Sequence, residues 1–292
     1  MGYASLMNSF QRNIDLQKSA EAEGYAVGAF NVNNLEIIRS VVAAAEAERS
    51  PVIVAVTPSA VAYADVQYLR ALAEVALAQS TVPIALHLDH GKKVEDCLLA
   101  IENGFSSVMI DGSMQSWETN VAWSKQVASV AHRRGLSVEG ELGQIPSSHG
   151  EIADEVPIDA MTDPEKAGQF VAETGVDTLA VSVGNAHGWY RGRPKLDFDR
   201  LAEIRSNLEV PVVLHGASGI PDDDLATAIE LGVSKVNIDT EIRGAFRDGV
   251  KEAFDADAEV TDPRKILRPA IEKMTALVRA KMVALGSSGK AD

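Results

Sequence analysis

The chain has 292 residues, 46% of them hydrophobic and 24% charged, which is enough to build one large domain with a sizeable core. A net charge of −15 excludes nucleic acid and anionic membranes as default partners, and a phosphorylated ligand would need a locally positive pocket. Cys97 is the only cysteine, so no intrachain disulfide forms, which fits a reducing, cytoplasmic location. No apolar run approaches membrane-spanning length, and the first residues lack the pattern of a secretory signal.

In chain order, short apolar runs recur at 25–32, 51–58, 83–90, 106–113, 136–143, 178–185, 211–218 and 235–242. Several are almost continuously hydrophobic and rich in Val and Ile, as strands buried on both faces are. Between them lie helical patterns such as NLEIIRSVVAAAEAE and DLATAIELG, the latter following PDD and ending at Gly232. Eight alternating strand–helix units predict a closed (β/α)8 barrel, a single domain over residues 1–292. A helical extension over about 243–286 follows, and the tail GSSGKAD is expected to be frayed. The step from the fifth strand to the sixth takes 42 residues; the surplus lies in 144–161, expected to be a long loop serving as a lid or binding loop.

Active sites of such barrels lie at the C-terminal ends of the strands. The third strand ends in Asp89-His90, the sixth runs into GNAHG with His187, and the seventh carries LHGASG with His215. Three imidazoles on one rim suit Zn²⁺ with an open coordination position. His87 lies one alternation deeper and His132 on a helix, so neither is expected to be a ligand. Glu139 and Glu141 are two apart on the fifth strand and face the same side. They either support the metal, from behind its ligands or as alternative ligands, or form a buried ion pair with a lysine or arginine. The glycines of GNAHG and HGASG, with the hydroxyls of Ser218 and Thr240, suit a phosphate after the seventh and eighth strands. Asn237 and Asp239 share a face and are placed to bond substrate hydroxyls.

Taken together, AFNVNNLE, ALHLDHG, SVMIDGS, SVEGELG, SVGNAHG, PVVLHGASGI, KVNIDTE and TDPR resemble the class II, metal-dependent ketose-bisphosphate aldolases over nearly the whole chain. The resemblance implies a (β/α)8 barrel that forms a homodimer or larger oligomer. It also implies reversible cleavage of a ketose 1,6-bisphosphate to dihydroxyacetone phosphate and an aldehyde such as glyceraldehyde 3-phosphate. By the same resemblance His90, His187 and His215 are Zn²⁺ ligands, and Asp89 exchanges a proton with the aldehyde oxygen. Gly188, Gly216, Ser218, Asn237 and Thr240 hold the dihydroxyacetone phosphate end, with a monovalent cation, K⁺ or Na⁺, nearby. Arg264 reaches the far phosphate of the neighbouring subunit's site. Asp239 leans towards the fructose configuration, whereas TP at 57–58 and HGASG look like the tagatose branch, so the C4 epimer stays open. The chain departs from the family after ELG, where QIPSSHGE replaces the usual Gly-Gly and loop acid. His149 or Glu151 is the expected base there. The altered loop leaves two alternatives, a tagatose-bisphosphate or otherwise modified phosphorylated ketose as substrate, or a non-catalytic sugar-phosphate-binding relative.

Overall fold

The computed structural model describes residues 9–153 and 156–291, without the side chains of 147–153. Its elements run α1 (Asn13–Glu23), β1 (Val27–Asn31), α2 (Leu35–Glu48), β2 (Val52–Val56), α3 (Pro58–Ala64), α4 (Val66–Gln79), β3 (Ile84–Gly91), α5 (Val94–Glu102) and β4 (Ser107–Ile110). They continue with α6 (Trp117–His132), β5 (Ser137–Leu142), β6 (Ser147–Ala153), α7 (Pro164–Thr174), β7 (Thr178–Val181), β8 (His187–Tyr190), α8 (Phe198–Ser206) and β9 (Val212–Leu214). The chain ends with α9 (Asp222–Glu230), β10 (Val233–Ile238), α10 (Thr240–Ala256) and α11 (Pro263–Ala284). None of the described helices is long and apolar enough to cross a membrane.

Eight strands close into a parallel barrel in the order β1-β10-β9-β7-β5-β4-β3-β2, and each overlaps one of the eight apolar runs. Alternation sorts their side chains. Leu86 and Leu88 of β3 face the helices in the large outer cluster, while His87 between them faces the barrel axis. Inside, Met109, Ala180 and Val213 form a small apolar layer. Lower down, Leu16 and Ala20 of α1 pack on Tyr25, Val27, Ala29, Ile53 and Ala85, so α1 closes the N-terminal end of the barrel and leaves the other end open. Side chains start the helices: Asn34 accepts from the Ile37 N–H, and Thr57, Asp163 and Asp262 cap helices whose first residue is proline.

Two expectations are corrected. The segment 144–161 is not simply a loop: its backbone contains β6, which pairs in parallel with β8 in a separate two-stranded sheet, Ser147 opposite His187. The pairing is long-range and outside the barrel, so local periodicity does not reveal it. The tail is also docked rather than frayed. The Gly289 and Ala291 N–H groups donate to the Glu48 and Arg49 carbonyls at 2.8 and 2.9 Å, which extends the contacts of α11 with the end of α2.

Candidate active site

Strand alternation would send Asp89 and His90 to opposite sides of the barrel wall. Two local features bring both to its mouth. The pairing of β3 with β4 shifts register between Leu88 and Gly91, and His90 has φ +53°, in the left-handed region. Such a conformation in a non-glycine residue costs of order 1–3 kcal/mol and persists where the surroundings enforce it. The enforcement is visible: His90 Nδ1 lies 2.8 Å from Asp111 Oδ2, at the end of β4.

His187 arrives at the start of β8 and His215 immediately after β9. One nitrogen from each of His90, His187 and His215 falls within 4.8 Å of the others. His215 Nε2 lies 2.7 Å from Glu139 Oε1, so that nitrogen carries the proton and Nδ1 keeps its lone pair. The Asp111 bond likewise leaves the lone pair of His90 on Nε2. These two lone pairs face each other at 2.9 Å. Such an arrangement needs a cation between them, either a proton or a metal ion. Ligands on a tetrahedral Zn²⁺ with bonds of about 2.0–2.1 Å lie roughly 3.3 Å apart, so the donor set fits a divalent ion with little movement. His90, Asp111 and Glu141 make a second group with the same spacing, sharing His90.

The charges follow from burial and neighbours. Burial lowers the pKa of His215 and holds that of His187 well below the ordinary value, so both are neutral and able to offer a lone pair to a metal ion. Burial would lower His90 too, but Asp89 and the Asp111 bond outweigh it and raise its pKa to about 9. Glu141 is pushed up to about 8 by burial and by Asp111. Burial alone would raise Glu139, but Lys235 keeps it ionised, donating from Nζ to both oxygens at 3.0 and 2.8 Å. Glu139 is in a buried ion pair, one of the readings left open by the sequence, and it also orients His215.

Asp89, 3% exposed, is clamped. Asn31 Nδ2 donates to its Oδ2 at 2.7 Å and Asn237 Nδ2 to its Oδ1 at 3.1 Å. His90 Nε2 and His215 Nδ1 stand 3.9 and 3.8 Å from Oδ1. Burial would favour the acid form, yet the neighbouring positive groups hold the carboxyl below the usual range and keep it ionised. A fixed carboxylate beside a triad of imidazoles can accept a proton from a hydroxyl oriented by a metal.

The phosphate-binding expectations fall on adjoining loops. Gly216 and Ser218 follow β9 and meet the end of β10, where the Ala217 N–H donates to the Asn237 carbonyl at 3.1 Å. Gly216 has φ +65° and a Cβ there would sit 2.3 Å from the Ala186 carbonyl, so the GNAHG and HGASG loops approach as closely as only glycine permits. Gly188 on β8 also has positive φ, 109°. Ser218 accepts from the Glu241 N–H at the start of α10, beside Thr240. Asp239 directs both oxygens to Arg243, at 2.8 and 2.6 Å. Arg264 stands apart on the outer helix α11, highly exposed and paired with Asp262. His149 and Glu151 lie outside the described side chains. Of the two excluded histidines, His132 is exposed and bonded to Asp177, while His87 is buried against Ser107 and Glu139.

Sequence reasoning missed Asn31, Asp111 and Lys235. Asp111 directly follows the fourth strand as Asp89 nearly ends the third, so the strand-end rule could have found it. Lys235 interrupts an apolar run two residues before Asn237, a signal of a buried charge with a partner.

A protein-family model for class-II fructose-bisphosphate aldolase matches residues 12–290. A fructose-bisphosphate aldolase of Geobacillus stearothermophilus is 45% identical over 272 residues, covering 91% of this chain and 93% of its own. Among solved structures, the YdjI aldolase of Escherichia coli K12 superposes with a TM-score of 0.84 at 32% identity, covering 97% of this chain and 100% of its own. The Campylobacter jejuni fructose-bisphosphate aldolase gives 0.80 at 26% identity, covering 94% of each chain. The barrel, the imidazole triad and the clamped Asp89 thus lie in a chain that belongs to the class-II fructose-bisphosphate aldolase family and is an aldolase.

Proposed function

We propose that this aldolase reversibly cleaves a ketose 1,6-bisphosphate, the fructose epimer favoured, into dihydroxyacetone phosphate and an aldehyde such as glyceraldehyde 3-phosphate. The observation that carries the reading is Asp89, ionised and held by Asn31 and Asn237 beside His90, His187 and His215. In cleavage, Asp89 accepts the proton of the C4 hydroxyl as C4 becomes a carbonyl and the C3–C4 electron pair stays on C3. A Zn²⁺ ion on the three imidazoles would supply electrostatic stabilisation of the charge left beside the C2 carbonyl. His149 or Glu151 exchanges the proton at C3. Gly188, Gly216, Ser218, Asn237 and Thr240 hold the dihydroxyacetone phosphate end, a K⁺ or Na⁺ ion is placed beside them, and Arg264 serves the neighbouring subunit of a homodimer or larger oligomer.

The test is a cleavage assay on fructose 1,6-bisphosphate and tagatose 1,6-bisphosphate, with dihydroxyacetone phosphate as the readout, before and after chelation and Zn²⁺ addition. Cleavage of the fructose epimer that chelation abolishes and Zn²⁺ restores is the expected result. Preference for tagatose 1,6-bisphosphate would overturn the epimer assignment, and no cleavage of either by the Zn²⁺-loaded protein would overturn the substrate.

A further inference from the structure

Beside the imidazole triad lies the second group of donors, His90, Asp111 and Glu141, which shares His90 with it. Three neighbouring strands assemble it: His90 comes near the end of β3, Asp111 directly follows β4 and Glu141 is the penultimate residue of β5. Asp111 is 5% exposed and Glu141 1%. Two buried carboxylates side by side repel each other and require positive charge nearby. Glu141 Oε2 is buried and makes no hydrogen bond among the described residues, and His90 Nδ1 stands 3.6 Å from it.

Lys92 supplies part of that charge. It directly follows β3, and its Nζ donates to Asp111 Oδ2, the same oxygen that lies 2.8 Å from His90 Nδ1. Ser113 donates to the other oxygen from its N–H at 3.2 Å and from its hydroxyl at 2.7 Å, so both oxygens of Asp111 are engaged. The Lys92 side chain is 62% exposed and that of Asp111 2%, so the lysine stem lies in solvent while its tip reaches inward. Such a cation is tethered but displaceable. A divalent ion entering this group would compete with Lys92 for Asp111 Oδ2, against a like charge at contact distance. It would also need the Nδ1 lone pair of His90, where the bond to Asp111 places a proton.

We propose that the Lys92 ammonium is the built-in cation of the Asp111–Glu141 pair, reserving Asp111 to orient His90 and limiting the site to one tightly held divalent ion, on the triad. The inference rests on the triad taking that ion, as proposed above. It makes Lys92 a positioning residue, acting on the metal count through Asp111 rather than on the substrate. Because its stem is in solvent, the effect is a shift in the affinity for a second ion and not an absolute block.

The experiment counts bound Zn²⁺ by equilibrium dialysis with elemental analysis, and obtains stepwise affinities by competition with a chromogenic chelator. It compares the wild type with Lys92→Met and with Lys92→Met combined with Glu141→Gln. The wild type should hold a single tight ion per chain. Lys92→Met should gain a second ion, bound at least about tenfold more tightly than any second ion of the wild type, the scale of removing a like charge at a partly exposed position. Adding Glu141→Gln should abolish that gain. A second binding step no tighter in Lys92→Met than in the wild type would overturn the role of Lys92. A gained ion that survives Glu141→Gln would also overturn it, because the ion would then sit elsewhere. Absence of a first tight ion on the wild type would overturn the triad as the metal site and the inference with it, an outcome separated from the others by the first binding step.

Discussion

Lys235 Nζ lies 2.8 Å from Glu139 Oε2, with Lys235 fully buried and Glu139 1% exposed, in the middle of the barrel. Removing one partner strands the other charge without water, at a cost of about 3–5 kcal/mol. Lys235→Met should lower the unfolding free energy by that order, measured by urea denaturation. Adding Glu139→Gln should return much of it, and a double variant no more stable than Lys235→Met would show that the pair is not coupled.

Asp89→Asn should retain metal and fold while losing turnover. Asn31 and Asn237 both donate to the carboxylate, so an amide there must leave one of them facing a donor. The expected loss in kcat is about 10²- to 10⁴-fold, the usual contribution of a positioned acid–base group. Zinc content and steady-state cleavage would be compared with wild type; loss of metal along with activity would assign Asp89 to metal binding instead.

Metal loading should release a proton. His90 has its pKa raised to about 9 in the metal-free protein, so at pH 7.5 it holds a proton that an ion must displace. Zn²⁺ affinity should therefore rise with pH up to about 9. Calorimetry in buffers of different ionisation enthalpy reads the number directly, and a buffer-independent heat would contradict it.

His87 has the opposite sign. Burial and then Lys235 lower its pKa from 6.5 to about 3. The unfolded chain takes up a proton at this residue below pH 6.5 and the folded chain does not, so its contribution is fully present above pH 6.5 and is lost as pH falls towards 3. Urea denaturation at pH 7.5 and pH 5 should show stability falling, and falling less in His87→Gln.

Intersubunit sharing is testable by mixing. In the proposed homodimer Arg264→Ala and Asp89→Asn should each disable a site, and a mixed dimer with one intact Asp89 facing one intact Arg264 should restore one site in two. Random reassortment should then return roughly a quarter of wild-type activity. An inactive mixture would place Arg264 outside the partner's site.

The barrel was legible because buried parallel strands are written as unbroken apolar runs, and the triad because its members stand at strand ends. Asn31 and Asp111 escaped because each acts by orienting another residue, at distances set only when β1, β3 and β4 are side by side. Lys235 was foreshadowed only as an unnamed partner for Glu139. The bulge at Asp89-His90 left no mark either: consecutive polar residues on a strand read the same whether both or one face the axis. The β6–β8 pairing was invisible for a different reason, since it is long-range and lies outside the barrel.

That small sheet joins two things usually discussed apart. His187 belongs to the imidazole triad and is also the first rung of β8, with its own N–H bonded to the Pro146 carbonyl at 2.8 Å and Ser147 as its register partner. The small sheet and the candidate metal site therefore share one residue. A substitution that shifts the His187 backbone would disturb both the cluster of ring nitrogens and the rung beside Ser147.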